Sequence, residues 1–278
     1  MALRITRRQF IATASAGCAA VAGDACFVET RAVQVTRHEV PIPDLAPALD
    51  NLRIACVTDV HLQGAIGAAP QAALAALARE RPEVVLLAGD ICNRYDDLPT
   101  LAAWARDARG TLATFATLGN WEHDAGIDAA TAAAVYGHVG IELLVNASAV
   151  VRVRDAVLRI VGLDDPVRGR PDLALALRDV AAGEPTVLTV HAPGFVDSVT
   201  PAGLNRAVDL ILAGHTHGGQ IRVPGWTPYT PSGSGRFVAG WYSDTPAPLY
   251  VTRGIGTVGI HARLFCKPEV PVFTLRGA

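Results

Sequence analysis

Apolar residues in this chain fall into short β-branched runs, and several runs stop at a polar residue beside a glycine. Residues 52–58, with Ile54 and Val57, read as a buried strand. Residues 83–88 are a second such run and end at Gly89-Asp90. Between them, residues 70–79 place Ala and Leu on one face, which predicts a helix. Residues 98–108 read as a helix, and residues 111–118 as a strand stopping at Gly119-Asn120. Residues 129–138 are helical in pattern, and 145–153 with 156–162 alternate like the arms of a hairpin around Arg154-Asp155. Residues 171–181 read as a helix, 186–190 as a strand stopping at His191, and 208–213 as a strand stopping at Gly214-His215. Two strands, 249–252 and 270–275, close the series. Strand, polar loop and helix recur and then give way to strands. That order predicts a layered α/β domain with helices covering the sheet faces.

A length of 278 residues allows one large domain or two small ones, and hydrophobic residues, at 50%, suffice for a core. A formal net charge of −2 without long basic or acidic runs argues against a nucleic-acid partner. Of the five cysteines, Cys18 and Cys26 lie near the N-terminus, and Cys56, Cys92 and Cys266 are irregularly spaced. This is neither a disulfide framework nor a zinc ribbon. Cys56 and Cys92 read as small buried hydrophobes, with one disulfide left open for an exported domain.

The N-terminus changes the picture of where the chain works. Arg4, Arg7 and Arg8 precede a mildly apolar stretch from residue 10 to 22, the layout of a secretory signal. Thr6-Arg7-Arg8-Gln9-Phe10 resembles the twin-arginine export motif. Ala20-Val21-Ala22 is an A-x-A-like cleavage site, Ala16-Gly17-Cys18 a weak lipoprotein box, and an uncleaved anchor is the third outcome. Residues 1–25 are therefore expected to be a signal segment. Residues 26–50, with Pro41, Pro43 and Pro47, are expected to be an extended lead-in, and residues 51–278 the folded domain.

The polar residues at the strand ends carry the chemistry. They are Asp59 and His61, Asp90, Asn120, His191, and His215 with His217. In open α/β sheets, ligands bind beyond the carboxyl ends of strands. A lone His there is usually structural and a lone Gly-Asp is usually a turn; the whole series is far harder to produce by accident. Carboxylate, amide and imidazole donors without cysteine suit borderline divalent metals such as Mn, Fe, Co, Ni or Zn. Gly89, Gly119 and Gly214 beside the ligands let the backbone turn sharply and leave room for an anion.

The order Asp-x-His, Gly-Asp, Gly-Asn, His, Gly-His-x-His resembles the calcineurin-like metallophosphoesterase superfamily over residues 52–275. Residues 212–223 and Arg253-Gly254-Ile255-Gly256 are similar to a bacterial branch of twin-arginine-exported, membrane-associated phosphoesterases. The resemblance implies a four-layer α/β/β/α sandwich with a dinuclear metal site at one sheet edge. It implies that Asp59, His61 and His217 hold one divalent ion, that Asn120, His191 and His215 hold the other, and that Asp90 bridges. Two such ions, about 3.5–4 Å apart, generate hydroxide near neutral pH for direct attack on phosphorus. The implied partners are a phosphate ester and a membrane surface. The chain is expected to act as a monomer in the periplasm or on the outer face of the cytoplasmic membrane.

One position departs from that pattern. The family usually has His after Gly-Asn, where it stabilises the transition state; here it is Trp121, whose indole only donates. Three readings follow. The substrate has a good leaving group, as in a phosphodiester or pyrophosphate, lipid-linked or nucleotide-linked, and needs little of the 10²–10⁴-fold that general-acid help typically supplies. Alternatively His123 takes the acid role, as in a phosphomonoesterase, or the site binds metal with weak catalysis. Trp121 is a candidate apolar or stacking wall for substrate. His38, His138 and His261 have no motif support and read as structural or surface residues.

Overall fold

A computed structural model describes residues 6–200, 204 and 208–278; Arg4 of the signal motif lies outside the described residues. The elements in chain order are α1 (Arg7–Gly23), β1 (Gln34–Ile42), β2 (Arg53–Val57), α2 (Ala68–Glu80), β3 (Val84–Ala88), α3 (Leu98–Ala105), β4 (Ala113–Thr117), α4 (Asn120–Asp124) and α5 (Ala129–His138). They continue with β5 (Glu142–Leu143), β6 (Ala147–Val153), β7 (Ala156–Gly162), α6 (Leu173–Leu177), β8 (Thr186–Thr189), β9 (Leu210–Ala213), β10 (Gly240–Tyr242), β11 (Leu249–Val251) and β12 (Glu269–Gly277).

The strands form two six-stranded mixed sheets, ordered β1-β12-β2-β3-β4-β5 and β10-β11-β9-β8-β7-β6. β2 to β5 run parallel in the first sheet, as do β7, β8, β9 and β11 in the second. The two-residue period of a strand divides each central strand between two cores. Ile54, Cys56, Val84, Leu86, Leu158, Ile160, Val187, Leu210 and Leu212 meet between the sheets. Their neighbours Ala55, Val57, Val85 and Leu87 face the other way, against Ala73 and Leu77 of α2, Trp104 of α3 and Tyr136 of α5. On the far side Leu188, Ile211 and Ala213 pack with Ala176 of α6, Val196 and Phe237. The layers are therefore helix, sheet, sheet and a thinner helical layer, the α/β/β/α sandwich expected from the resemblance.

Several boundaries differ from the sequence pattern. The helix expected at 171–181 is only Leu173–Leu177, with Ala176 its one buried residue, so little packing sustains further turns. The lead-in includes β1, which pairs in parallel with β12 along its whole length. Its Pro41 is tolerated because β1 is an edge strand. β1 and β10 close the open side between the sheets through an aromatic cluster: His38 packs on Trp241, Tyr250 and Phe273. His38 is thus structural, and His138 and His261 are exposed. All five cysteines are unpaired, with Cys56, Cys92 and Cys266 buried.

Candidate metal centre

Beyond the carboxyl ends of β2, β3, β4, β8 and β9 the chain delivers Asp59 and His61, Asp90, Asn120, His191, and His215 with His217 to one edge of the sandwich. The β2–β3 ladder carries on past the strands, with Asp59 N–H donating to Gly89 O (3.0 Å) and His61 N–H to Asp90 O (3.0 Å). Asp59, His61, Asp90, His215 and His217 all sit at left-handed φ values of 51 to 68°. That conformation costs a non-glycine residue about 1–2 kcal/mol, so five together mark a site whose loops are held in place by their surroundings. Gly119 permits the closest approach: a Cβ there would lie 2.2 Å from Asp90 Oδ1.

Two metal-binding groups result. Asp59, His61 and His217 each bring a ligand atom within 4.8 Å of the others, and so do Asp90, His191 and His215. Asp90 Oδ2 reaches both groups, lying 3.8 Å from His61 Nε2 and 3.0 Å from His191 Nε2. The His191 contact is not aligned as a hydrogen bond, and Nε2 stays without a partner. Asn120 Oδ1 and His217 Nδ1 are also buried and unpartnered, and His61 Nε2 faces His217 Nε2 at 3.1 Å. Buried polar atoms are rarely left so, because an unmade bond costs more than an average made one contributes. Inward-facing nitrogens and carboxylate oxygens are the donor set that a pair of divalent cations would satisfy.

Neighbouring groups orient the ligands. His61 Nδ1 lies 2.6 Å from Asn93 Oδ1, His191 Nδ1 donates to Ala88 O (2.8 Å), and His215 Nε2 donates to Ser232 O (2.8 Å). Each bond fixes a tautomer and leaves the other ring nitrogen for the site. Asp59 accepts from His215 N–H (3.0 Å) and Thr58 Oγ1 (2.9 Å). Burial works against charge on His191, yet Asp90 holds its pKa well above the usual histidine value. Burial and the neighbouring His61 drive His217 well below it.

Glu122 was not singled out by the sequence pattern. Wholly buried, it accepts N–H bonds from Asp90 (2.9 Å), Ile91 (2.7 Å), Cys92 (3.2 Å) and Gly119 (2.9 Å), so one carboxylate ties the loops after β3 and β4 together. Burial and Asp90 raise its pKa. Its only sequence signal is an acidic residue three positions after Gly119, the spacing of a helix-capping box.

Trp121 donates its backbone N–H to Asp90 Oδ1 (2.8 Å), and its ring meets His61 edge-on at 5.4 Å. Trp121 lines a cavity of about 570 Å³ together with Asp90, Asn120, His217, Ile221, Tyr229 and Ile260. His123 lies outside that lining and pairs with Asp164 Oδ1 at 2.8 Å. The Asp164 bond raises its pKa above the ordinary histidine value, against partial burial.

Residues 52–219 match the family model for calcineurin-like phosphoesterase. The chain is 27% identical to the metallophosphoesterase YkuE of Bacillus subtilis, with 98% of each chain covered. It is 28% identical to the phosphodiesterase YaeI of Escherichia coli, covering 98% of this chain and 99% of that one. Among solved structures it resembles a dimetal phosphatase of Danio rerio (TM-score 0.44, 16% identity, covering 74% of this chain and 88% of that one). It also resembles a 5'-nucleotidase precursor of Thermus thermophilus (TM-score 0.48, 17% identity), covering 74% of this chain and 49% of that one, about half its length. The chain belongs to the calcineurin-like phosphoesterase family and is a metal-dependent phosphoester hydrolase.

Proposed function

We propose that the chain is a phosphodiesterase or pyrophosphatase acting on lipid-linked or nucleotide-linked substrates. In this reading Asp59, His61 and His217 hold one divalent cation, Asn120, His191 and His215 the other, and Asp90 bridges them. The cations are Mn, Fe, Zn, Co or Ni, and when bound they supply Lewis acidity and activate water for attack on phosphorus. The protein's own share is positional. Glu122 and the Trp121 N–H hold Asp90 in place, the histidine tautomers are set from behind, and a largely apolar cavity adjoins the site.

The observation that carries the reading is Trp121 lining the cavity beside Asn120 where an imidazole would be expected to protonate the leaving oxygen. A diester or pyrophosphate with a stabilised leaving group dispenses with that proton. The likeness to the phosphodiesterase YaeI supports the same side. A phosphomonoesterase using His123 is the second reading, favoured by the Asp164 bond that keeps His123 protonated to higher pH. The N-terminal apolar helix behind Arg7-Arg8 supports twin-arginine export and work at the outer face of the membrane.

The manganese-loaded protein should turn over a bis-aryl phosphate faster than the mono-aryl ester. His123→Ala should leave that activity within roughly threefold, because an aryl oxygen leaves without a proton. Faster turnover of the monoester, with a hundredfold or greater loss in His123→Ala, would replace this reading by the second.

A further inference from the structure

The N-terminal helix and the mouth of the cavity are tied together. Residues 7–31 form a helical stretch of 25 residues containing an 18-residue window of mean hydropathy 1.5, long and apolar enough to cross a membrane. Its exit is hydrogen-bonded to a loop bordering the metal centre. Ala25 O accepts from Arg263 N–H (2.9 Å), and the buried Glu29 carboxylate accepts from Phe265 N–H (3.0 Å) and from Cys266 N–H. Arg263 is itself fully buried and braces that loop through Gly256 O (2.6 Å) and Arg253 O (2.9 Å). A parallel bridge between Ile221 and Leu264 joins it to the second loop around the mouth. The membrane exit, the two mouth loops and the metal centre therefore form one connected unit.

The two loops present apolar side chains to solvent. Trp226 is 64% exposed, Tyr229 71%, Ile260 64% and Phe265 65%, with Val223 beside them. Phe27 and Val28 at the helix exit are similarly exposed. Single exposed hydrophobes need no explanation, but a grouped set around a cavity does. Phe265 adopts φ 51°, where a bulky residue is an outlier, and still directs its ring to solvent. Segments 219–231 and 254–266 contain no Asp or Glu; their ionisable side chains are Arg222, His261, Arg263, Tyr229 and Cys266. Tyr229 and Ile260 belong both to the rim and to the cavity lining. Exposed aromatic and aliphatic residues on loops that carry no acidic side chain, with the adjacent Glu29 carboxylate buried, are the composition of a surface that lies in the headgroup layer of a bilayer.

We infer that this rim is a bilayer-docking surface: it sinks into the membrane that receives α1 and opens the cavity toward the hydrocarbon, so that a lipid-linked phosphoester enters chain first. The docking rests on the rim alone; the delivery of substrate rests on the hydrolase reading of the metal centre.

The full chain, reconstituted in phosphatidylcholine–phosphatidylglycerol vesicles, tests both parts. The emission lost in Trp226→Phe isolates Trp226, and replacing the lipid by its acyl-brominated form should quench that component by roughly half or more. An unquenched Trp226 overturns the inference. A double variant, Trp226→Ser with Phe265→Asn, removes apolar rim area; Asn suits the left-handed φ at 265. Turnover of 4-nitrophenyl hexadecyl phosphate in vesicles should fall roughly tenfold, while that of soluble bis(4-nitrophenyl) phosphate stays within about twofold. Equal turnover of the lipid ester, or equal loss on both esters, overturns the delivery role. Should the unsubstituted protein hydrolyse neither ester while Trp226 is quenched, the hydrolase reading fails and docking stands.

Discussion

Trp121, at the position where the resemblance implies an imidazole, carries a side chain that cannot titrate and meets His61 edge-on. If the surrounding geometry still suits an imidazole, Trp121→His should raise kcat on poor leaving groups such as alkyl phosphates by roughly tenfold or more and leave aryl esters little changed. Steady-state kinetics on an alkyl–aryl pair checks this, and an unchanged ratio would mean the helix start at Asn120 aims position 121 elsewhere. The His123–Asp164 pair makes a separate prediction. Asp164 lifts His123 above its ordinary 6.5, so that share of stability is full below 6.5 and fades as pH rises through the raised folded value. Burial alone would raise Asp164, but His123 holds it below 3.8; that share is full above 3.8 and fades as pH falls through the lowered value. The melting temperature lost in His123→Ala should therefore peak near pH 4–6.5, at about 2 °C for a partly exposed pair. A loss that is flat with pH would show that the pair carries no such linkage. Asp59, Asp90 and His191 stood out in the sequence because each lies at, or one residue past, the end of an apolar run. Glu122 did not, because its partners are backbone N–H groups some thirty positions away.

At the scale of elements, the site depends on how closely one strand end approaches the next. A methyl at position 119 would lie 2.2 Å from Asp90 Oδ1 and 2.5 Å from Asp90 N, atoms that cannot yield without moving the Asp90 carboxylate. Gly119→Ala should weaken manganese binding by roughly tenfold or more in calorimetric titration while circular dichroism stays native. Gly137→Ala, where nothing lies within 4 Å of the added methyl, serves as the control. The central strands were readable from their period because both faces are buried, giving near-continuous Val, Leu and Ala. The edge strands β1 and β10 were not. Most of their residues are exposed or half-buried without a regular alternation, and their pairing partners lie far along the chain or across a proline-containing loop.

At the scale of the whole molecule, the cations would join loops from both sheets, since Asp59, His61 and Asp90 come from the first and His191, His215 and His217 from the second. Binding confined to the folded state adds its free energy to folding. Removing metal with a chelator should lower the melting temperature by roughly 5–10 °C if the ions are present at about a hundred times Kd. Asp90→Ala should abolish that shift, and a shift that survives the substitution would place the stabilising ion elsewhere.

The sequence by itself determined the order and chemical type of the ligands and the alternation of strand and helix. Both are local properties, set by which side chain follows which apolar run. Only the tertiary structure decided that Glu122 ties two loops together, that Asn93, Ala88 and Ser232 set the histidine tautomers, and that the membrane-length helix leaves the fold beside the cavity. Those relations join residues as far apart as Glu29 and Phe265, separated by 236 positions. A one-dimensional pattern records what a residue is; which distant backbone group it meets is settled by how the two sheets and their loops pack.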